Sequence, residues 1–304
     1  ALYGMIGYLT GGWGITLAEG GSRRLMSVYT SPNNLALFLG RVLPFAVAFV
    51  LIAPGRPRKI AAAMLSALIG AALLLTQSVG ALLIGVPAAL IVVLLLWDRR
   101  RGLLAAGAIL IAVGGIIALA RFVPRLQGAF DVSRSSSFIR VQLWTSTLNL
   151  LSERPLTGAG LDQFLYLYRS RYILPEAWQE PDLSHPHNIL LDFWVRLGIG
   201  GVALLIALQA AFWQAAWRAY RAARAKAHLP QGDPRLLAVI VGGMGVMTDV
   251  LAHGLVDHSY FVTDLAYVFC FLLALVTIFG GAGYTSEMAA KREDQHEWEG
   301  AASS

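Results

Sequence analysis

The stretch VGALLIGVPAALIVVLLLW at residues 79–97, then Asp98-Arg99-Arg100-Arg101, then LLAAGAILIAVGGIIALA at residues 103–120, decides the fold. Each apolar run is 18 or 19 residues long without a charged side chain, the length an α-helix needs to cross the hydrocarbon of a bilayer. In that medium each segment must satisfy its own backbone N–H and C=O groups, which a helix does and an open strand does not. The arginines between the runs are too costly to leave in lipid, so they mark a turn in water.

Outward from this pair the same pattern recurs at residues 35–53, 60–76, 189–217, 236–256 and 262–280, giving about seven spans and an all-α polytopic membrane protein. The composition agrees: 57% of the 304 residues are hydrophobic, 14% are charged, and mean hydropathy is +0.61. The net charge of +6 does not point to nucleic acid, because the basic residues sit in short connections. They are Arg56, Arg58 and Lys59; Arg99, Arg100 and Arg101; Arg218, Arg221, Arg224 and Lys226; and Lys291 with Arg292. Alternating the spans puts all of these on one side, which the positive-inside rule makes the cytoplasm. The lone Cys270 excludes a disulfide within the chain.

This divides the chain into an N-terminal stretch with four spans (1–120), a large extracytoplasmic loop (121–188), three further spans (189–284) and a polar, flexible cytoplasmic tail (285–304). The chain opens on Ala1 without a basic leader, and the expectation is that it is the C-terminal part of a longer protein. The loop itself carries helical signals. Ser135-Ser136-Ser137 precedes a run at 138–152 that sets Val141, Trp144, Leu148 and Leu151 on one face, ended by Pro155. After Gly158-Ala159-Gly160, a second run places Leu161, Phe164, Leu165, Tyr168 and Tyr172 together before Pro175. Two amphipathic helices lying on the membrane face are expected.

The residues suited to chemistry gather on the outer side. His185-Pro186-His187-Asn188 stands where the loop turns back into an apolar helix, and a histidine there can take a proton near neutrality. Arg23, Arg24, Arg140, Arg169 and Arg171 lie on the same side, with Arg41 inside the first span, where an arginine suggests a polar cavity. Asp192 and Arg196 are spaced to pair along one helix face, and Gly198, Gly200 and Gly201 to let helices approach closely. His185, His187, His253, Asp257 and His258 could be imagined around a metal ion, but a His-x-His pair with distant partners is a weak pattern, and no metal is assigned. Asp257 or His253 is the better candidate for orienting substrate or His187. No P-loop or GxGxxG pattern occurs in a strand-to-helix setting, so nucleotide use is unsupported.

Four stretches, in order, carry a resemblance. They are Ser31-Pro32-Asn33-Asn34-Leu35-Ala36, Arg140-Val141-Gln142-Leu143-Trp144, Glu153-Arg154-Pro155-Leu156-Thr157-Gly158-Ala159-Gly160-Leu161, and His187-Asn188 followed at a distance by Gly198 and Gly201. Together they resemble the bacterial O-antigen ligase and O-antigen polymerase family over most of the chain. The resemblance implies a GT-C-like glycosyltransferase of the bacterial inner (cytoplasmic) membrane, with its active face extracytoplasmic. It implies transfer of a glycan from a polyprenyl pyrophosphate carrier to a hydroxyl on a lipid or glycan acceptor, among membrane lipids, with no cofactor and no essential metal. The alternatives are a repeat-unit polymerase of the same family and a non-enzymatic lipid-linked glycan transporter.

A departing pyrophosphate needs cations, which arginine supplies bidentately, and the attacking hydroxyl needs a base. His187 is therefore expected as the base and Arg24 and Arg140 as the catalytic cations, with Arg41, Asn188, Arg23, His185 and Asp257 binding or orienting substrate. One departure stands out. Many family members have an arginine directly after the serine of the second-to-third span turn, whereas Gln77-Ser78 is followed here by Val79.

Overall fold

The computed structural model describes residues 1–17, 21–120, 122, 136–227, 229, 232–258 and 260–279. The tail at 285–304 and the start of the large loop lie outside the described residues. In chain order the elements are α1 (Leu2–Thr10), an antiparallel pair β1 (Ile15–Leu17) and β2 (Arg23–Leu25), α2 (Pro32–Ile52), α3 (Arg56–Thr76), α4 (Ala81–Trp97), α5 (Arg99–Ala120), α6 (Ser136–Glu153), α7 (Ile189–Lys226), α8 (Pro234–Gly254) and α9 (Thr263–Phe279). Among the described residues α2, α3, α5, α7 and α8 are long and apolar enough to cross a bilayer, and α4 and α9 are shorter apolar helices. The seven apolar runs of the sequence are all helical. The protein is all-α and polytopic, apart from the short β1–β2 pair, whose strands of three residues each left no alternating pattern to read.

The helix ends follow local chemistry. Ser31 caps α2, its Oγ accepting from the Asn34 N–H at 3.1 Å, with Pro32 at the first helical position. Asp233 and Pro234 repeat the device at the start of α8. α4 opens with a π turn over Ala81–Gly85, in which the Val86 N–H reaches the Ala81 carbonyl. Pro87 follows at once; it has no N–H and crowds the carbonyl four residues back, so the wider turn relieves the clash.

α8 forms the centre. Gly242 lies against Phe45 of α2, and Gly245 against Pro44 of α2 and Val93 of α4, so closely that a side chain at either position would overlap them. Around it Phe212, Ile240, Met244, Val250, Phe269 and Leu272 make the main apolar core. Outside, α3 and α5 expose Met64, Leu74, Leu104, Leu110 and Ile111, a surface suited to hydrocarbon rather than water. The basic ends meet: Tyr220 Oη donates to the Leu96 carbonyl at 2.8 Å and Arg224 to the Trp97 carbonyl at 2.9 Å.

α7 is broken at Gly198, whose φ of 67° and ψ of −162° leave the helix. The break frees one carbonyl and one N–H of α7 that the loop uses. The Ala159 and Gly160 N–H groups donate to the Val195 carbonyl at 2.7 and 3.2 Å, and the Ile199 N–H donates to the Leu156 carbonyl at 3.2 Å. The Glu153–Leu161 stretch is thus clamped onto α7, and a Cβ at Gly198 would collide with the Leu156 carbonyl. Gly200 faces open space and Gly201 meets Phe193 and Leu197 of α7 itself across the break, so the crowding at these glycines is with the loop and with α7, not the approach of a neighbouring helix that their spacing suggests.

α6 is helical as expected, but a different stripe is buried. Ile139, Leu143, Thr147 and Leu150 pack inward with Leu151, while Val141 and Leu148 are exposed. The segment carries apolar residues on more than one face, and the aromatic partners Phe164, Tyr168 and Tyr172 select the Leu143–Leu150 stripe. The second loop run is a short helical stretch over Phe164–Leu167 continued by a π turn over Tyr168–Tyr172, with Leu161 exposed.

Gly198→Ala should lower the thermal stability of the detergent-solubilised protein by at least about 1–3 kcal/mol, the usual range for overpacking alone, because neither the backbone angle nor the Leu156 carbonyl can accommodate the methyl group. An unchanged melting temperature would contradict the clamp.

Candidate active site

Two turns and two helices converge at the end of the bundle opposite the basic clusters. Asn188 begins α7: its Oδ1 accepts from the Leu190 and Leu191 N–H groups at 3.0 and 3.1 Å, while Nδ2 donates to the Leu255 carbonyl at 2.9 Å. One side chain thereby caps α7 and ties it to the turn after α8. His187, one residue earlier, adopts a positive φ of 48°. A non-glycine residue in that region is held there by its surroundings. The Trp144 indole N–H, donating to the Pro186 carbonyl at 2.9 Å, is part of what holds it.

His187 Nδ1 lies 2.7 Å from Asp257 Oδ1. Asp257 is 2% exposed and is approached from several directions. The His258 backbone N–H donates to Oδ1 at 2.9 Å, and a guanidinium nitrogen of Arg140 stands 3.7 Å from Oδ2. Burial alone would raise the Asp257 carboxyl, but side-chain hydrogen bonds from His187 and His258 hold it well below the usual carboxylate range. An ionised carboxylate only accepts, so the shared proton belongs to His187 Nδ1, and the neutral ring keeps its lone pair on Nε2.

These groups line a cavity of about 350 Å³ shared with Ser31, Asn33, Asn34, Glu180, Asp182 and His185. Asn33 and Asn34 are in the first turn of α2, the positive end of the helix dipole, which favours an anion. Glu180 and Asp182 offer acceptors for hydroxyl groups. His185 packs its ring 4.3 Å from His187 and 4.1 Å from His258, centroid to centroid. Burial, then the charges of His258 and His187, push it well below the usual histidine range.

Arg24 does not line the cavity but stands behind it. Its Nε donates to the Thr76 carbonyl at 2.9 Å and its Nη2 to Asn33 Oδ1 at 3.1 Å. Burial, and then the charge of Arg140, lowers its pKa. Arg23, the next residue on β2, has an exposed side chain directed toward Gly11 at the end of α1. Arg41 is 1% exposed and donates to the Leu265 carbonyl of α9 at 3.0 Å, so it is packed between spans rather than facing the cavity. Arg169 pairs with Asp182 at 2.8 Å and Arg171 with Glu153 at 2.7 Å. Asp192 and Arg196 pair at 2.8 Å as their spacing implies, and Arg196 also bonds Asp162 and lies over the Phe261 ring.

The structure also brings forward Asp249 and His253 on α8, two and one helical turns before Asp257 and fully buried. Among the described residues their side chains make no hydrogen bond, and Gly40, Gly80 and Gly85 pack directly against them. Their spacing of four from Asp257 was visible in sequence, but no local motif marks Asp249. His258 is likewise drawn to the site by the fold.

With this geometry in place, residues 62–206 match the model of a family described as O-antigen ligase. Through this segment, just under half of its length, the chain is similar to the O-antigen ligase family. An O-antigen ligase of Pseudomonas aeruginosa is 32% identical over 152 residues, covering 50% of this chain and 34% of that protein. The chain therefore aligns with about a third of that relative's length. The matched segment contains Arg140, Trp144, the Glu153–Leu161 stretch, His187 and the Gly198 break, whereas Arg24 and Asp257 fall outside it.

Asp257→Asn should reduce stability in a pH-dependent way. A carboxyl held low in the folded state contributes stability that is present above its unfolded pKa, about 3.9, and is lost as pH falls through the lower folded value. The melting-temperature gap between wild type and variant should be widest near neutrality and close below about pH 4. A gap that widens on acidification would mean that the carboxyl is not held low.

Proposed function

We propose that the protein is a membrane glycosyltransferase of the O-antigen ligase kind. It moves a glycan from a polyprenyl pyrophosphate carrier to an acceptor hydroxyl, on the extracytoplasmic face of the bacterial inner membrane. The observation that carries this is the 2.7 Å contact of His187 Nδ1 with the buried Asp257, which makes Nε2 a base in a cavity that Arg140, two asparagines and the carboxylates of Glu180 and Asp182 also line.

The acceptor O–H gives its proton to His187 Nε2 while its oxygen attacks the anomeric carbon. The bond from that carbon to the pyrophosphate oxygen breaks, and the polyprenyl pyrophosphate departs with the electron pair. Asp257 stabilises the imidazolium that forms. Arg140 and the first turn of α2 neutralise the leaving group, with Arg24 supporting Asn33 from behind. Arg24 is fixed to the very turn in which Val79 stands in place of the frequent family arginine, so it is the guanidinium available there. Glu180 and Asp182 accept hydroxyl hydrogen bonds from the acceptor. His185 and Asn188 shape the loop that presents His187. Arg23 and Arg41 serve beyond the reacting groups, Arg41 by holding α9 against α2.

The positive-inside arrangement supports the orientation, and the similarity to an O-antigen ligase of Pseudomonas aeruginosa supports the ligase over the polymerase form. A transporter of lipid-linked glycans has no need of an oriented imidazole.

In proteoliposomes holding a polyprenyl pyrophosphate-linked glycan and acceptor, His187→Ala should abolish transfer while membrane insertion is preserved, and Asp257→Asn should lower the rate by about 10²–10⁴-fold, the range of general-base contributions. Transfer by His187→Ala at the wild-type rate would remove the base. Arg140→Lys keeps the charge but loses the planar fork and should still lose most activity; full activity would make Arg140 a bystander.

A further inference from the structure

His185, His187, Asp257 and His258 offer one ligand atom each, all within 4.8 Å of one another. We propose that this cluster is a binding site for a zinc-class dication, which switches transfer off by occupying the imidazole that would act as base. The blocking half rests on the reading of His187 as base; the binding half does not.

The geometry is close to what such an ion needs. Zinc bonds of about 2.0–2.2 Å to nitrogen and oxygen set ligand atoms roughly 3.4 Å apart in a tetrahedron, so small rotations of the rings suffice. The three rings pack edge-on around one point, with His185–His258 and His185–His187 centroids at 4.1 and 4.3 Å. His258 is 6% exposed, its Nδ1 stands 3.2 Å from Asp257 Oδ1, and among the described residues neither its Nε2 nor His185 Nε2 makes a hydrogen bond. Shielded imidazole nitrogens without partners are costly, and a cation would satisfy them together. Three imidazoles with one carboxylate select zinc, copper, nickel or cobalt over magnesium or calcium.

The surroundings fit an exchangeable ion rather than a resident one. Arg140, 3.7 Å from the other oxygen of Asp257, subtracts from affinity for a cation. The cavity gives a path for entry and exit. Coordination through either nitrogen of His187 disables it: at Nε2 the lone pair is taken, and at Nδ1 the bond to Asp257 is lost.

The test is cobalt(II) titration of the full-length protein in nanodiscs, purified without a histidine tag and followed by the visible bands of tetrahedral cobalt, in parallel with transfer assays. The wild type should bind one equivalent, displaced by zinc but not by magnesium, and saturating zinc should lower transfer at least about tenfold, reversed by a chelator. His258→Phe keeps the ring packing and the backbone N–H to Asp257 Oδ1, and its transfer in zinc is read against its own zinc-free rate. It should weaken cobalt binding at least about tenfold, as loss of a coordinating partner does, and should keep transferring in zinc that silences the wild type; His258→Gln checks the same loss should the phenylalanine variant fail to fold. Absence of cobalt bands in the wild type, or equal bands in the variants, overturns the site. Bands with undiminished transfer keep the ion site and overturn the blocking, and with it His187 as base. Bands in a protein that transfers nothing even with chelator would locate the failure in the proposed function and not in the ion site.

Discussion

Burying the Asp257 carboxylate is the constraint on which this end of the molecule depends. An ion removed from water must be surrounded by donors or it gives up its charge. Here the donors come from separate parts of the chain: the His187 ring, the His258 backbone and the Arg140 guanidinium. To deliver them, the 184–188 loop must place His187 at a positive φ, α6 must lie with Arg140 and Trp144 toward that loop, and α8 must stop three residues before Asp257. The same contacts that neutralise the carboxylate fix the tautomer of His187, so stability and chemical competence share one origin.

A second constraint is how a loop outside the membrane is held in register with helices inside it. The break at Gly198 releases one backbone carbonyl and one N–H of α7, and the 155–160 segment binds them. The Asp192–Arg196–Asp162 ion pairs and the Trp194 N–H to the Pro155 carbonyl reinforce the same seam. Loop and helix therefore move as one unit. This accounts for why the family segment, residues 62–206, joins apolar spans and loop across what looks in sequence like a domain boundary.

The spans were legible because lipid imposes a length and a composition that no tertiary contact can override, and residues 79–97 and 103–120 carry that imprint openly. His187 and Arg140 were legible as local motifs beside an apolar run. What joins them was not. Asp257 and His253 stood as equal candidates to orient His187, and one helical turn separates a carboxylate at the site from a ring sealed in the core. Arg41 suggested a polar cavity, but a carbonyl of α9, more than two hundred residues away, takes its guanidinium. The buried stripe of α6 was misassigned because Val141 and Leu148 are as apolar as Ile139 and Leu150, and the Phe164–Tyr172 aromatics decide between them only in three dimensions. Sequence periodicity reports which faces could be buried, and the partner chooses.

The central claim is that Asp257 makes His187 a base aimed into the cavity. Nitrogen-15 NMR of the imidazole side chains in membranes tests it most directly, with His187 assigned by comparison with His187→Gln. The account requires the neutral ring to carry its proton on Nδ1, with a bare Nε2 signal that is lost or exchanged between nitrogens when Asp257 is replaced by asparagine. A wild-type ring protonated on Nε2 and bare on Nδ1 would contradict it.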